Sequence, residues 1–210
     1  LRNGGYKIAP VDTNIYPAGW NNLCPSYRRK DGELFKAYFG KYHSGIKQIV
    51  ILAEEHTRNL FYFENLFILR SILQEQGLEV EIASFSAELT ADENKFQTSE
   101  GNTLTVWRAK VGGYLLKIAA YCPGLILVNN DFSSGIPSMI KKIVQPMVPT
   151  PLLGWHSRKK SDHFTAYKKI SHTFGELFGI DPWLIFAPFL SMGEIDFSDP
   201  KSMTRLATKV

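Results

Sequence analysis

Residues 48–85 carry three successive patterns that together restrict the fold to one class. Residues 48–53 form a short and almost continuously apolar run, which is typical of a strand buried on both faces of a parallel sheet. Apolar side chains then recur at helical spacing from Leu60 to Leu73, and they alternate with polar ones from Leu78 to Phe85. A strand, a helix and a second strand predict one βαβ unit with a right-handed crossover. We therefore expect an α/β protein in which helices flank a mainly parallel sheet.

Capping residues predict where the helices begin and end. Thr57 can cap the start of the first helix, and Gly77 can stop it. A second buried strand is expected at 125–128. Further helices are predicted over 137–144, over 162–178 with Ser161 as N-cap and Gly179 past the end, and onward from Pro182.

A hairpin and a polar segment interrupt the α/β pattern. Residues 103–117 have two glycines at their centre and predict a β-hairpin. Residues 86–102 are richer in polar side chains and are expected to form a mobile surface excursion. We therefore predict a hairpin and loop excursion over 86–120 within one substrate-side domain over 1–196. Residues 197–210 are expected to be the truncated start of a following segment of a longer protein.

Polar side chains follow three predicted strands where each strand ends. Runs at 7–11, 48–53 and 125–128 all stop in carboxylates or amides. Because parallel strands place their carboxyl ends on one edge of a sheet, we expect these groups to converge on one crevice at a topological switch point. The alternative is that they only tie turns together. The groups are Asp12 and Asn14, with Asn21 and Asn22 in the turn beyond; Glu54, Glu55, Arg58 and Asn59; and Asn129, Asn130 and Asp131.

Arg58 is expected at the start of the first helix, where backbone N–H groups add to its positive field. Asn65 follows seven residues later on the same helical face, with Tyr62 between them. A guanidinium in this position can bind a carboxylate through two parallel hydrogen bonds. The alternative is an Arg–Glu pair on a solvated surface.

A concentrated group of cations lies at 154–164. It combines Trp155 and His156 with Arg158 and two lysines. Phosphate or carboxylate binding is one interpretation, and a solvated helix start is the other. His156 and His163 lack the four-residue spacing of a helical zinc pair, so no metal site is predicted.

Charge and cysteine content argue against several classes of protein. The net charge of +4 is dispersed, whereas a nucleic-acid-binding domain needs a concentrated basic stripe. Cys24 and Cys122 form no disulfide framework, so we expect free thiols and a cytoplasmic location. The apolar runs are too short or too interrupted to cross a bilayer. The chain has no Walker loop or dinucleotide fingerprint, and the spacing of its residues identifies no catalytic group.

Four blocks of the sequence resemble the proteobacterial family of glutamate–cysteine ligases. They are residues 8–23, 55–59, 129–131 and 154–160, and the resemblance extends to roughly residue 190. It implies an enzyme that uses ATP and Mg²⁺ to form a γ-glutamyl phosphate, which the amine of cysteine then attacks. The product, γ-glutamylcysteine, is the first intermediate of glutathione biosynthesis. The resemblance also implies a fold like that of the N-terminal domain of ATP-grasp ligases.

The sequence departs from this family plan in one respect. It has no glycine-rich, lysine-bearing hairpin and no late Glu and Asn metal pair, so the main ATP and Mg²⁺ residues are expected beyond Val210. We therefore expect a substrate-side portion that does not make γ-glutamylcysteine alone. Its expected partners are glutamate and cysteine, without nucleic acid or membrane, and homo-oligomer formation is left open. The expected substrate-binding residues are Asp12, Asn14, Asn21, Asn22, Arg58, Asn59, Asn65, Asn129, Asn130, Asp131, Trp155, His156 and Arg158.

Two other classes of function stay open at this point. A non-catalytic α/β domain could bind an anionic metabolite or a nucleotide through the same crevice. A nucleic-acid interaction domain would instead use residues 155–163, and its affinity would fall steeply with salt.

Overall fold

The computed structural model describes residues 2–11, 15–16, 18–55, 59–119, 121–191 and 198–208. The chain divides into two compact units, Asn14–Ser157 and a smaller one made of Leu1–Thr13 with Arg158–Val210. The elements of the larger unit are α1 (Pro25–Tyr42), β3 (Gln48–Ala53), α2 (Leu60–Gln74), β4 (Glu79–Ser84), β5 (Glu93–Gln97), β6 (Thr103–Arg108), β7 (Lys110–Gly112), β8 (Leu115–Lys117), β9 (Leu125–Asn129) and β10 (Met147–Val148). Those of the smaller unit are β1 (Arg2–Asn3), β2 (Ile8–Ala9), α3 (Lys160–Phe178) and α4 (Pro200–Ala207).

A six-stranded sheet forms the centre of the larger unit, in the order β10-β9-β3-β4-β6-β5. All neighbouring pairs are parallel except β5 with β6, which is antiparallel. Ile51 of β3 lies between Ile82 of β4 and Leu127 of β9. The predicted α/β class with a mainly parallel sheet and flanking helices is therefore confirmed.

Strand β3 is buried on both faces, as its continuous apolar run predicts. Ile49 and Ile51 belong to a core that also contains Leu66 and Leu69 of α2. Val50 and Leu52 point to the opposite core, which the 110–118 hairpin region and the loop after β9 help to fill. Both packed layers position the ends of β3 and β9 rigidly.

The βαβ unit has the predicted order, but the helix cap differs. Asn59 is the N-cap of α2, because its side chain accepts a hydrogen bond from the backbone N–H of Phe61 at 2.9 Å. The predicted cap, Thr57, lies outside the described residues. Helix α2 ends at Gln74, and Gly77 follows it with the positive φ of 82° that favours glycine.

The segment predicted as a hairpin and loop excursion contributes two strands to the main sheet. Residues 110–117 do form a two-stranded hairpin, β7 with β8. Strand β6 precedes it in the main sheet, however, and β5 lies inside the polar segment expected to be mobile. Charged side chains are normal on such an edge strand, because they protect it from pairing with other chains.

Three predicted helices differ in the structure. Residues 137–144 contain only a short 3₁₀ turn at Ile140–Lys142, and the helix expected from Pro182 is a 3₁₀ turn at Pro182–Leu184. Helix α3 begins at Lys160, before the expected cap Ser161, and ends as predicted at Phe178, with Gly179 past its end at a φ of 66°. Helix α1 was not predicted at all, although a proline at its first turn favours a helix start.

The smaller unit contains the strand that was expected to join the parallel sheet. Strand β2 instead pairs antiparallel with β1 in a separate two-stranded sheet. In the same unit, Tyr6 stacks on Trp183 with ring centroids 6.0 Å apart, and Lys7 lies over the Trp183 ring. No helix in the described part of the chain is long and apolar enough to span a membrane.

Candidate functional site

The order of the strands defines a topological switch point between β3 and β9. From β3 the chain passes through α2 to β4 and then through β5 to β6, and these strands lie on one side of β3. It returns to β9 and continues to β10 on the other side. In open α/β sheets the crevice outside the carboxyl ends of two such strands is the usual ligand site.

A cleft of about 430 Å³ lies at this switch point. Residues that follow β3 form one wall, and the loop that follows β9 forms the other. The lining residues are Glu54, Glu55, Asn130, Asp131, Phe132, Ser133, Ser134, Gly135, Ile136 and Pro137. Three of them are carboxylates, so the cleft favours a ligand that presents an ammonium group or other positive charge.

The Tyr62 hydroxyl joins the two walls of the cleft. It donates a hydrogen bond to the Asn129 carbonyl at 2.8 Å and accepts one from the Glu54 backbone N–H at 2.9 Å. Burial raises the pKa of this hydroxyl far above its ordinary value, and the Glu54 and Asp131 charges add to the increase. The neutral phenol therefore acts as a fixed link from α2 to the carboxyl ends of β3 and β9.

Two buried serines, one at the end of β4 and one just beyond it, fix the backbone of the β3 wall. Ser84 Oγ donates to the Glu54 carbonyl at 3.1 Å, and Ser86 Oγ donates to the Glu55 carbonyl at 2.7 Å. Ser84 Oγ also accepts from the backbone N–H of Ser86. These bonds hold Glu54 and Glu55 in one backbone conformation beside the cleft.

The two polar residues after β9 organise their own loop. Asn130 Oδ1 accepts from the backbone N–H of Phe132 at 2.9 Å, and its Nδ2 donates to the Ala53 carbonyl at 3.4 Å. Asp131 Oδ1 accepts from the backbone N–H of Ser133 at 2.9 Å. Phe132 has a positive φ of 48°, which these local bonds stabilise. Both side chains thus tie a turn and line the cleft at the same time.

Trp155 and His156 lie next to this loop. The backbone N–H of Trp155 donates to the Asp131 carbonyl at 2.9 Å. Gly154 is buried against the same carbonyl, and a Cβ added there would collide with it and lie 2.8 Å from His156 Nδ1. The structure therefore brings Trp155 and His156 close to the loop of Asn129, Asn130 and Asp131, but neither lines the cleft.

The other predicted site residues lie away from the cleft or outside the residues that the structure describes. Asn65 is buried, and its Oδ1 accepts from the Trp20 backbone N–H at 2.9 Å, which anchors the 3₁₀ turn that contains Asn21 and Asn22. Asn59 is exposed and caps α2. Arg158 belongs to the smaller unit. The remaining candidates, Asp12, Asn14 and Arg58, lie outside the described residues.

Sequence reasoning missed the residues that hold the site in shape. Glu54 and Glu55 were noted as a strand end, but the expected binding set left them out. Ser84 is the last residue of β4 and Ser86 lies two residues beyond it, so the rule for strand ends could have found them. Tyr62 was seen only as a member of a helix face, because a helical spacing does not reveal a bond to a strand sixty-seven residues away.

The described residues give no preformed cluster for the metal ion that the resemblance implies. Within ranges 2–11, 15–16, 18–55, 59–119, 121–191 and 198–208, no group of three or more His, Cys, Asp or Glu side chains is arranged to hold a metal ion. The described residues therefore show no all-protein centre of this kind for Mg²⁺.

A family model and a solved structure both relate the chain to glutamate–cysteine ligases. The family model described as GshA: Glutamate-cysteine ligase matches residues 1–210. A crystal structure at 1.90 Å resolution of a protein from Methylobacillus flagellatus KT, provisionally named gamma-glutamylcysteine synthetase, is 37% identical with a TM-score of 0.88. The match covers 100% of this chain and 49% of that one, so the chain spans about half the length of this relative. No curated protein matches the chain.

Proposed function

The chain belongs to the glutamate–cysteine ligase family, and from that premise we propose that it is the substrate-side part of an enzyme that forms γ-glutamylcysteine. Such an enzyme would join L-glutamate to L-cysteine with ATP and Mg²⁺, as the first step of glutathione biosynthesis. The observation that supports this proposal best is the carboxylate-lined cleft at the switch point, in a chain whose whole length matches the family.

The chemistry of the cleft suits an α-amino acid. The carboxylates of Glu54, Glu55 and Asp131 can attract an α-ammonium group, since opposite charges interact strongly in a partly desolvated site. Arg58, which immediately precedes Asn59 in the sequence, remains our proposed anchor for an α-carboxylate. Together these groups would bind a zwitterion and leave its side chain available for the reaction.

Several wider features of the enzyme belong to the same proposal. ATP and Mg²⁺ would be held mainly by residues outside this chain, in a plan that resembles ATP-grasp ligases. The substrates are small molecules, and the residues over 1–196 would form the domain that binds them. A reducing, cytoplasmic location is supported by Cys24 and Cys122, which are both free thiols in the structure.

The proposal is tested in the intact protein that contains this chain. Formation of γ-glutamylcysteine is followed by chromatography of the derivatised thiol, with ATP, Mg²⁺, glutamate and cysteine present. The variant Asp131→Asn keeps the hydrogen bond to Ser133 but removes the charge, and we expect it to raise one amino-acid KM about tenfold. Glu33→Gln, which removes an exposed carboxylate paired with Arg29, is the matched control.

The proposed function is refuted if the intact wild-type protein forms no γ-glutamylcysteine under these conditions. The proposed role of the cleft is refuted separately if Asp131→Asn and Glu33→Gln leave both Michaelis constants equally unchanged.

A further inference from the structure

Glu54 and Glu55 separate two hollows at the carboxyl edge of the sheet. The cleft described above lies on the β9 side. A second hollow of about 330 Å³ lies on the β4 side, where Ser84, Ser86 and the first residue of α2, Leu60, contribute to its lining. Because Glu54 and Glu55 line both hollows, ligands in the two would meet at the same pair of carboxylates.

The wall of the second hollow is apolar, unlike that of the first. Its apolar side chains include Phe63, Leu66, Leu89, Phe96 and Val106. The rings of Phe63 and Phe96 lie 4.8 Å apart at 31°, so they form a continuous aromatic surface. A carboxylate buried against this wall would lose its hydration without gaining a partner. The wall therefore selects a small, uncharged side chain over one that ends in a carboxylate.

The lining of the same hollow also has groups for both charges of an amino acid. Glu54, Glu55 and Glu88 line it and can attract an ammonium group. Helix α2 begins there at Leu60, and the positive end of its dipole favours a carboxylate. An α-amino acid carries both groups on one carbon, so a zwitterion suits the charged part of the lining while its side chain meets the apolar part.

We infer that the second hollow is the binding site for the amino acid with the uncharged side chain. This inference rests on the function proposed above, in which that amino acid is cysteine and the switch-point cleft holds glutamate. Glu54 and Glu55 then lie between the two substrates, next to the cysteine ammonium group. Phe96, on the edge strand β5, determines the size of side chain that the hollow admits.

The test uses Phe96→Ala in the intact protein, with Phe35→Ala as matched control. Both phenylalanines are partly buried and pack on the same core, but Phe35 does not line the second hollow. We expect Phe96→Ala to raise the KM for cysteine about tenfold and to improve the relative use of the larger norleucine. The KM for glutamate should stay within about twofold of wild type in both variants.

The wild-type protein provides a test that does not depend on a variant. We expect 2-aminobutyrate, which has a methyl group in place of the thiol, to replace cysteine, and we expect aspartate not to replace it. Efficient use of aspartate would overturn the inference, since an apolar wall cannot accept that side chain.

Calorimetric titration of cysteine without ATP separates the two proposals. One result refutes the proposed function but supports the second site. In it, the wild-type protein binds cysteine, Phe96→Ala weakens that binding about tenfold, and the wild-type protein forms no product. If product forms, three results for Phe96→Ala would refute the second site while the ligase function stands. They are an increase in the KM for glutamate alone, an equal increase in the KM for cysteine and for glutamate, and no change in either KM.

Discussion

Replacing Tyr62 with phenylalanine removes one oxygen atom and with it both hydrogen bonds that join the cleft walls. The hydroxyl lies 2.8 Å from the Asn129 carbonyl and 2.9 Å from the Glu54 nitrogen, so both bonds have good geometry. A hydrogen bond contributes roughly 1 kcal/mol net, and a buried polar group that loses its partner costs roughly 1–3 kcal/mol. We therefore expect Tyr62→Phe to lower the free energy of unfolding by about 2–3 kcal/mol.

Urea denaturation followed by tryptophan fluorescence measures this loss in the free energy of unfolding, and thermal denaturation measures the change in melting temperature. For a chain of this size, we expect the melting temperature to fall by roughly 4–12 °C. Tyr121→Phe is the matched control, because its hydroxyl makes a long 3.5 Å contact with the Ile49 carbonyl. We expect that control to change stability by less than about 0.5 kcal/mol. Equal effects of the two substitutions would contradict our account of the Tyr62 link.

The same substitution changes how stability depends on alkaline pH. Burial raises the pKa of Tyr62, so the folded protein keeps a proton that the unfolded chain loses near pH 10. The contribution of Tyr62 is therefore fully present below pH 10 and is lost as the pH rises above it. Tyr62→Phe should make the slope of stability against pH shallower by about 1.4 kcal/mol per unit above pH 10. Parallel curves for the two proteins would refute this.

Three further predictions concern other parts of the chain. Thiol titration should find both cysteines free, and iodoacetamide should modify Cys24 faster than Cys122, because the hydrogen bond from Ser26 lowers the pKa of Cys24; equal rates would contradict this. Gln145→Leu removes buried hydrogen bonds to Leu116 of β8 and to the Pro123 carbonyl and should cost about 2 kcal/mol in urea denaturation, whereas an unchanged midpoint would count against it. Arg58→Lys should raise one amino-acid KM about tenfold with ATP binding unchanged, and wild-type kinetics would exclude Arg58 as the carboxylate anchor.

The elements that sequence predicted well have strong local patterns. The limits of β3 agree with the apolar run at 48–53, and α2 and β4 follow in the expected order. Helix α1 escaped prediction because Phe39 is its one fully buried large side chain, and because Gly32 and Gly40 weaken its helical propensity. Its packing, rather than its pattern, determines that it forms.

The candidate site was predictable only where a strand end marks it. The polar residues after β3 and β9 converge as the switch-point rule predicts. The run at 7–11 was assigned wrongly to the parallel sheet, because a two-residue strand does not reveal which partner it pairs with. Asn65 illustrates a second limit, since its bond to the Trp20 backbone depends on a contact between segments forty-five residues apart.

The close packing at Gly154 has a consequence for anyone who wishes to redesign this cleft. Any other residue at 154 would drive its Cβ into the Asp131 carbonyl and toward His156. A combinatorial library that varies Ser133 and Ser134 should therefore keep codon 154 fixed, so that the wall it diversifies retains its support. Gly154→Ala changes no residue that lines the cleft, yet it should displace the Asp131 backbone in one wall. The substitution is therefore a way to alter the shape of the cleft without altering its lining side chains.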